Sequence, residues 1–523
     1  MKRNWVIIAG AASLLAACGA GTDHDTPIGA AAADVPVQAV NLEGRVGVTP
    51  LQAGDSYYVS AAAAVAQRAA RSRVKPARNV ILFIGDGMGV STVTAARIYA
   101  GQSKGIDGES YSLAMDTLPH AALSKTYSHD SQVSDSASTA TAMVSGVKSR
   151  SRTLGVTQNA TYSDCATLAG NGTDTLFELA ERAGLSTGIV STARLTHATP
   201  AAAYAELVNR DWEDDTELNE DADTQGCADA ARQFIEWDEG DHFEIALAGG
   251  RRHFRTDKQP DPENEFLRGK RKDGRDLAEA WANKSEDHVT VFDRDGLNSA
   301  MLSQGARVLG LFEQNHMQYE IDRNSDVGGE PSIEEMTRAA ITRLSQDEEG
   351  YVLMVEAGRI DHGHHGANAA RALSDTVAFD EAIAAALDMT SEEDTLIIVT
   401  ADHSHTLTIQ GYPRRNNPIL GKVTYPGGAE AQAADGKPYT TLSYANGPSA
   451  CLPNTDCTRP DLSDVDTVAN NFRQQALLPS PSETHAGEDV PVFARGPGAE
   501  LVSGVMEQNE IFHIMGYATG LVE

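Results

Sequence analysis

Positive charge is scarce in this sequence of 523 residues: 42 Lys and Arg stand against 74 Asp and Glu, a formal net charge of −32. Such a field repels nucleic-acid backbones and anionic lipids at long range, which argues against a nucleic-acid-binding module. It would also repel a phosphorylated substrate unless bound cations reversed the potential locally. Cysteine is equally sparse, with five in the chain and no CxxC or thiol–metal spacing, so neither redox nor zinc-thiolate chemistry is expected. No internal repeat is visible, and 46 Gly with 20 Pro is no excess at this length, which excludes collagen and wholesale disorder. What remains is an ordinary folded composition, 41% hydrophobic and 22% charged. The length suffices for a large buried core, as about two to four domains or as one elaborated α/β domain.

Lys2 and Arg3 precede an apolar run from Trp5 to Ala17, too short to cross a bilayer comfortably but of the length of a signal-peptide core. The run ends Leu15-Ala16-Ala17-Cys18, which resembles the lipobox of bacterial lipoproteins. That resemblance implies removal of residues 1–17, export to the cell envelope and a lipid anchor on Cys18. A plain cleaved signal with a chance cysteine is the alternative. Residues 18–54, rich in Ala, Gly and Pro, read as a tether. Residues 55–75 follow, with a helix from Tyr57 to Lys75 that Pro76 stops, and residues 76–523 make the main domain.

Four cysteines remain after Cys18, in a compartment where disulfides persist. Cys451 and Cys457 are close enough to close a small loop, and Cys165 and Cys227 would then pair across a longer one; buried free thiols are the alternative. Eight carboxylates between Asp211 and Asp223, and nine Lys and Arg between Arg251 and Arg275, read as solvated insertions rather than binding sites. From Gly411 to about Pro460 the chain is rich in Gly, Pro and Asn, an irregular lobe inserted before a last strand, Val490 to Ala494.

Three runs, Val80 to Ile84, Val352 to Val355 and Leu396 to Thr400, are apolar throughout rather than alternating, as central strands of a parallel sheet are. Helical stretches lie between them, such as Asp174 to Ala183 and Ala367 to Leu387, so the class is α/β with a sheet covered on both faces. Each run ends in acid: Asp86 in Gly-Asp-Gly-Met-Gly, Glu356 in Val-Glu-Ala-Gly, and Asp402-His403 in Ala-Asp-His-Ser-His. Ligands of open α/β sheets bind beyond the carboxyl ends of strands, so these acids converge there, and convergent carboxylates repel unless a cation sits between them. Asp361 and His365 are spaced to share a helix face, and His485 in Glu-Thr-His-Ala-Gly adds an imidazole. Asp with His suits zinc; carboxylates with hydroxyls suit magnesium. Ser136, opening an Ala-rich stretch, is the candidate nucleophile, since a helix N-terminus favours an anion there. An ordinary N-cap serine is the bland reading of it.

These motifs in order, with Asp-Ser-Ala, Gly-Arg-Ile-Asp-His-Gly-His-His and Glu-Thr-His-Ala-Gly-Glu-Asp, resemble those of the alkaline phosphatases, and of the animal-type members more than the enteric bacterial one. The resemblance covers nearly everything from Pro76 onward. It implies a single three-layer αβα domain around a mostly parallel sheet, with the lobe at about 411–460 in the place of the family's crown, and a homodimer. It implies one zinc on Asp361, His365 and His485, a second on Asp86, Asp402 and His403, and magnesium on Asp86, Thr199 and Glu356. Arg210 matches the arginine that grips two phosphate oxygens, while His197, His362 and His405 match residues standing behind the ligands. A calcium site is implied too: Glu263, the Phe312 carbonyl and Glu313 match, and Asp326 lies close to the remaining position, near Gly328. The Cys165–Cys227 pairing also matches an animal-type disulfide. The implied activity is hydrolysis of a broad range of phosphomonoesters at alkaline pH through a phosphoserine.

Two rivals remain open. A phosphodiesterase or sulfatase shares such two-metal constellations, but Arg210 would occupy oxygens that a diester needs, and the sulfatase pattern Cys-x-Pro-x-Arg is absent, Cys451-Leu-Pro-Asn-Thr lacking the arginine. A non-catalytic phosphate- or metal-binding lipoprotein would have no use for the Ser136 hydroxyl.

Overall fold

The computed structural model describes residues 47–220, 222, 224–451 and 458–522. Signal segment, Cys18 and most of the tether lie outside the described residues, as do Asp221, Asp223 and Cys457.

The three apolar runs stand side by side in the middle of a ten-stranded sheet, because a strand without a polar face has to be covered on both sides. The strands begin with β1 (Asn79–Gly85), β2 (His120–Lys125), β3 (Ser186–Arg194), β4 (Ile245–Gly249), β5 (His288–Val291), β6 (Arg307–Leu311), β7 (Tyr351–Ala357) and β8 (Thr395–Ala401). There follow β9 (Ser404–His405), β10 (Leu407–Ile409), β11 (Leu442–Gly447), β12 (Ala476–Pro479), β13 (His485–Ala486), β14 (Val490–Arg495) and β15 (Gly504–Glu507). Across the large sheet the order is β15-β2-β14-β8-β1-β7-β3-β4-β6-β5, and β14 alone runs against its neighbours.

The pleat of β1 divides two cores. Val80, Leu82 and Ile84 pack with Ala140 and Met143 of the helix Ser136–Ser145 and with Phe512 of the helix Glu510–Thr519. Ile81 and Phe83 face the opposite way, towards Met336 of the helix Ile333–Leu344 and Phe379 of the helix Ala369–Met389. The result is the expected three-layer αβα arrangement. Helix starts are set locally, Thr175 with Glu178 and Ser332 with Glu335 forming capping boxes.

Several expectations are corrected. The N-terminal helix spans Ser56–Ala69 rather than reaching Lys75. Its buried stripe of Tyr58, Ala61, Val65 and Ala69 ends there, and the next turn, Arg71, Ser72 and Arg73, is exposed with nothing to pack against. Val490 to Ala494 forms a strand but not the last one, since β15 pairs beyond β2 at the sheet edge. Among the described residues the lobe at 411–460 contributes one strand, β11, to a small separate sheet whose other strands, β10 and β12, lie on either side of it in sequence. The two charged stretches are not separate solvated insertions but pack on each other. His253 Nδ1 lies 2.6 Å from Asp214 Oδ2, and the Lys272 and Asp273 N–H groups donate to Asp215 Oδ2, both at 3.0 Å. Asp214, Arg251 and Arg271 are buried, Arg271 on Asp229 at 2.8 Å and Arg251 on Asp261 at 2.7 Å. Across the two stretches Lys270 pairs with Glu217 at 2.5 Å and Arg271 lies 3.9 Å from Asp215, while the buried partners of Arg271 and Arg251 come from outside the acidic stretch. Removing one partner of such a buried pair costs about 3–5 kcal/mol.

Cys165 and Cys227 form a disulfide with Cα atoms 6.1 Å apart. Cys451 is disulfide-bonded as well.

Candidate active site

Parallel register brings the acids together. Ile84, at the end of β1, pairs with Glu356 on one side and Thr400 on the other, so Asp86, Glu356 and Asp402 gather at the carboxyl ends of the central strands. All three are fully buried. Gly87 adopts φ 71° between them, its N–H donates to Asp402 Oδ1 at 2.9 Å, and a Cβ there would overlap the His405 ring, so only glycine fits. The helix Arg359–His365 sets Asp361 and His365 one turn apart, and the pairing of β13 with β9 brings His485 opposite His405.

Asp361, His365 and His485 form a triangle. Asp361 Oδ2 is 3.3 Å from His365 Nε2, Asp361 Oδ1 is 3.3 Å from His485 Nε2, and the two imidazole nitrogens are 3.3 Å apart. Donors about 2.0 Å from a tetrahedral zinc are separated by about 3.3 Å, so the donor set fits that ion. The second group has the same scale. His403 Nε2 lies 3.2 Å from Asp402 Oδ2 and 3.5 Å from Asp86 Oδ1, while Ser136 Oγ lies 3.2 Å from His403 Nε2 and 3.5 Å from Asp86 Oδ1. Behind it, Asp86 Oδ2, Glu356 Oε1 and Thr199 Oγ1 are buried oxygens with no hydrogen-bond partner among the described residues, the donor type that suits magnesium.

The electrostatics point the same way. Burial and the neighbouring Asp402 hold the Asp86 carboxyl well above its usual range; burial likewise raises Asp402 and brings Glu356 up to about 7. Burial holds His403 and His362 well below the usual imidazole range, and with Arg210 nearby takes His197 to about 3, so these rings are neutral. Asp361 is the exception: burial opposes its charge, but His365 and His405 outweigh burial and hold it low. Clustered acids that resist ionisation beside neutral imidazoles are what a cation would relieve.

Ser136 opens its helix, and Asp135 stands at the N-cap position without a side-chain capping bond. Instead the Asp135 carboxylate accepts from Arg210 Nη1 and from the Arg152 N–H, both at 2.9 Å. Arg210 Nη2 also reaches His197 Nε2 at 3.2 Å. Ser136, Arg210, Asp361, His362, His485 and Arg152 are among the residues lining a cavity of about 380 Å³. His405 stands behind, with Nε2 on Asp361 Oδ1 at 2.6 Å and Nδ1 on Glu483. Both ring nitrogens of His405 thus meet carboxylate oxygens, and the ring also lies close enough to Asp361, His403 and His485 to share an ion with them.

Glu263, Glu313 and Asp326 also come together, the Asp326 carboxyl within hydrogen-bond reach of both glutamates. Burial raises Glu313 to about 7 and the neighbouring Glu330 to about 9; Arg251, on Glu263 at 2.6 Å, is the cation beside Glu313, and Arg323 the one beside Glu330. Phe312 directly precedes Glu313 after β6.

Some participants escape sequence reasoning. Asp135 stands in the quoted Asp-Ser-Ala and Glu483 in Glu-Thr-His-Ala-Gly, yet neither spacing reveals its partner. Arg194, bound through Nε to Glu213 at 2.7 Å, and His316, whose ring centroid is 4.1 Å from that of His362, have no local signal.

Residues 77–521 match the family model described as alkaline phosphatase. The chain is similar to the tissue-nonspecific isozyme of alkaline phosphatase from Gallus gallus, 45% identical over 448 residues and covering 84% of each chain. It is 44% identical over 447 residues to the alkaline phosphatase of Gadus morhua, covering 84% of this chain and 91% of that one. The crystal structure of Thermus thermophilus alkaline phosphatase aligns with a TM-score of 0.60 at 25% identity, over 86% of this chain and 92% of its own. That of the enzyme from the Antarctic bacterium TAB5 shares the fold, with a TM-score of 0.59 at 23% identity over 86% of this chain and 100% of its own.

Proposed function

The chain belongs to the alkaline phosphatase family of phosphoric monoester hydrolases, and from that premise we propose that it releases inorganic phosphate from a broad range of phosphomonoesters through a phosphoserine on Ser136. The observation carrying this reading is the position of Ser136 Oγ, 3.2 Å from His403 Nε2 and 3.5 Å from Asp86 Oδ1, in a cavity that Arg210 also lines.

Asp361, His365 and His485 would hold one zinc, Asp86, Asp402 and His403 a second, and Asp86, Thr199 and Glu356 magnesium. When bound, these ions lower the pKa of a coordinated hydroxyl or water and neutralise charge on phosphate and leaving oxygens. Ser136 Oγ, deprotonated, forms a bond to phosphorus while the bond to the alcohol oxygen breaks. Water then attacks the phosphoserine, the Oγ–phosphorus bond breaks, and phosphate leaves with Ser136 restored. Arg210, with its planar fork steadied by Asp135, holds two non-bridging oxygens through both displacements. That same grip disfavours a diester. His403 and His362, kept neutral by burial, stay competent as ligand and hydrogen-bonding partner even as pH falls, and it is deprotonation of the attacking groups that would drive the rate up on the alkaline side.

The remaining features of the reading are a calcium on Glu263, the Phe312 carbonyl, Glu313 and Asp326, a homodimer with the lobe near the subunit boundary, and export with lipid attachment at Cys18. The Cys165–Cys227 disulfide supports an oxidising compartment. Among the described residues no helix is long and apolar enough to cross a membrane.

The test is turnover of p-nitrophenyl phosphate at alkaline pH by the purified full chain beside Ser136→Ala, with phosphate trapped on the protein at acid pH. Loss of turnover by at least about 10³-fold, together with loss of the trapped phosphate, is expected; turnover indifferent to the substitution would refute the mechanism.

A further inference from the structure

The cavity beside Ser136 has another arginine on its wall, Arg152, which the proposed reaction does not use. Its backbone is part of the wall: the N–H donates to Asp135 Oδ1 and the carbonyl accepts the Arg210 N–H, both at 2.9 Å. Neither bond depends on the side chain. Yet φ at Arg152 is 67°, in the left-handed region that glycine adopts freely and a residue with a Cβ does not. The backbone here is best suited to glycine, and an arginine is present.

The guanidinium stands half-exposed, 5.0 Å from the Tyr162 ring centroid, and hydrogen-bonds through Nη2 to the Asp211 carboxylate. Asp211 lines the same cavity and is itself exposed, next in sequence to Arg210. Arg194, by contrast, is engaged on several sides, with Nε on Glu213 at 2.7 Å and Nη1 on Asn315 at 3.0 Å. Arg152 is therefore the cavity-wall arginine with donor capacity to spare, and the Asp211 carboxylate seated on it is the kind of group another oxyanion could replace.

We propose that Arg152 is a specificity-determining residue that binds a second oxyanion on the alcohol portion of the phosphomonoester while Arg210 holds the phosphate to be transferred. The proposal rests on the phosphomonoesterase reading and adds a substrate class to it: esters whose leaving alcohol carries its own negative charge. Asp211 sets the threshold, since it competes for the guanidinium and repels the incoming anion.

The test compares 3-phosphoglycerate with glycerol 3-phosphate, a pair that differs in a carboxylate against a hydroxymethyl group. The readout is the ratio of their kcat/KM values in the parent chain, Arg152→Gly, Arg152→Lys and Asp211→Asn. Arg152→Gly is chosen because glycine suits the backbone at this position, and Arg152→Asn, also tolerant of it, should give the same result. The ratio should fall about fivefold in Arg152→Gly, as expected for one partly exposed ion pair, with the change in KM for 3-phosphoglycerate. Lysine should retain part of the preference, Asp211→Asn should raise it, and added salt should shrink it. An unchanged ratio in Arg152→Gly, or an equal fall for both esters, would overturn the proposal. Failure of the parent chain to hydrolyse either ester would instead overturn the hydrolase reading beneath it.

Discussion

Replacing Arg210 by alanine tests the phosphate grip, and its cost can be worked from the contacts. Two charge-assisted N–H···O bonds to phosphate oxygens contribute about 1.5–3 kcal/mol each. Together they predict a fall in kcat/KM of about 10²–10⁴-fold. A second effect adds to this. Arg210 also neutralises Asp135, 2.9 Å away and largely buried, so the alanine variant leaves an unpaired carboxylate beside a phosphate dianion. Removing Asp135 as well should restore about tenfold of the loss, a coupling that independent sites would not display. Arg210→Lys keeps the charge without the fork and should lose about 10–100-fold. The assay is kcat/KM for p-nitrophenyl phosphate and the inhibition constant for inorganic phosphate across parent, Arg210→Ala, Asp135→Ala and the double variant. If Arg210→Ala stays within threefold of the parent, or the two substitutions simply add, the argument that Asp135 and Arg210 act as one unit is wrong.

Chelation should abolish turnover, and zinc with magnesium should restore it; His485→Ala, lacking one corner of the 3.3 Å donor triangle, should recover little at the same metal concentrations, as read by add-back titration. Gly87→Ala should destabilise the protein by more than about 2 kcal/mol, because it combines left-handed strain with overlap on the His405 ring; an unchanged denaturation midpoint would contradict this. Burial, with Glu244 nearby, raises Glu181 to about 9, above its unfolded value, so between those two pKa values the folded chain keeps a proton that the unfolded chain releases. Stability from this group therefore falls as pH rises through that window. Glu181→Gln should gain a few °C in Tm over the parent, with the gain growing from pH 6 to pH 9; calorimetry giving the same difference at both pH values would count against it.

The central sheet was legible because β1, β7 and β8 have no polar face, and the metal-ligand candidates because each such strand ends in an acid. Asp361 and His365 were legible as a pair from helical spacing alone. What stayed hidden depends on contacts distant in sequence. Nothing near Val490 says that β14 would run against its neighbours, because its reversal comes from the lobe before it. The acidic and basic stretches looked like solvated faces because each was read without the other; their neutralisation is tertiary. Glu483 sits two residues from a candidate ligand, yet its hold on His405 requires β13 and β9 to pair across the lobe.

The acidic character of the chain and the anionic substrate of its family are reconciled locally. Asp86, Glu356, Asp361 and Asp402 meet beyond the carboxyl ends of the central strands, all four buried, where water cannot screen them. Left alone, such a group takes up protons, and the upward shifts of Asp86, Asp402 and Glu356 express that demand. Three divalent ions would satisfy it differently, outweighing the four carboxylates, and Arg210 adds one more positive charge to the same cavity. The sign of the potential at Ser136 would then be opposite to that of the whole molecule. Burial is what makes the reversal effective, since the low-dielectric surroundings that penalise the bare carboxylates also strengthen the attraction of a caged cation for phosphate. Because ions would bind the folded site and not the dispersed chain, the same charges would couple metal loading to stability.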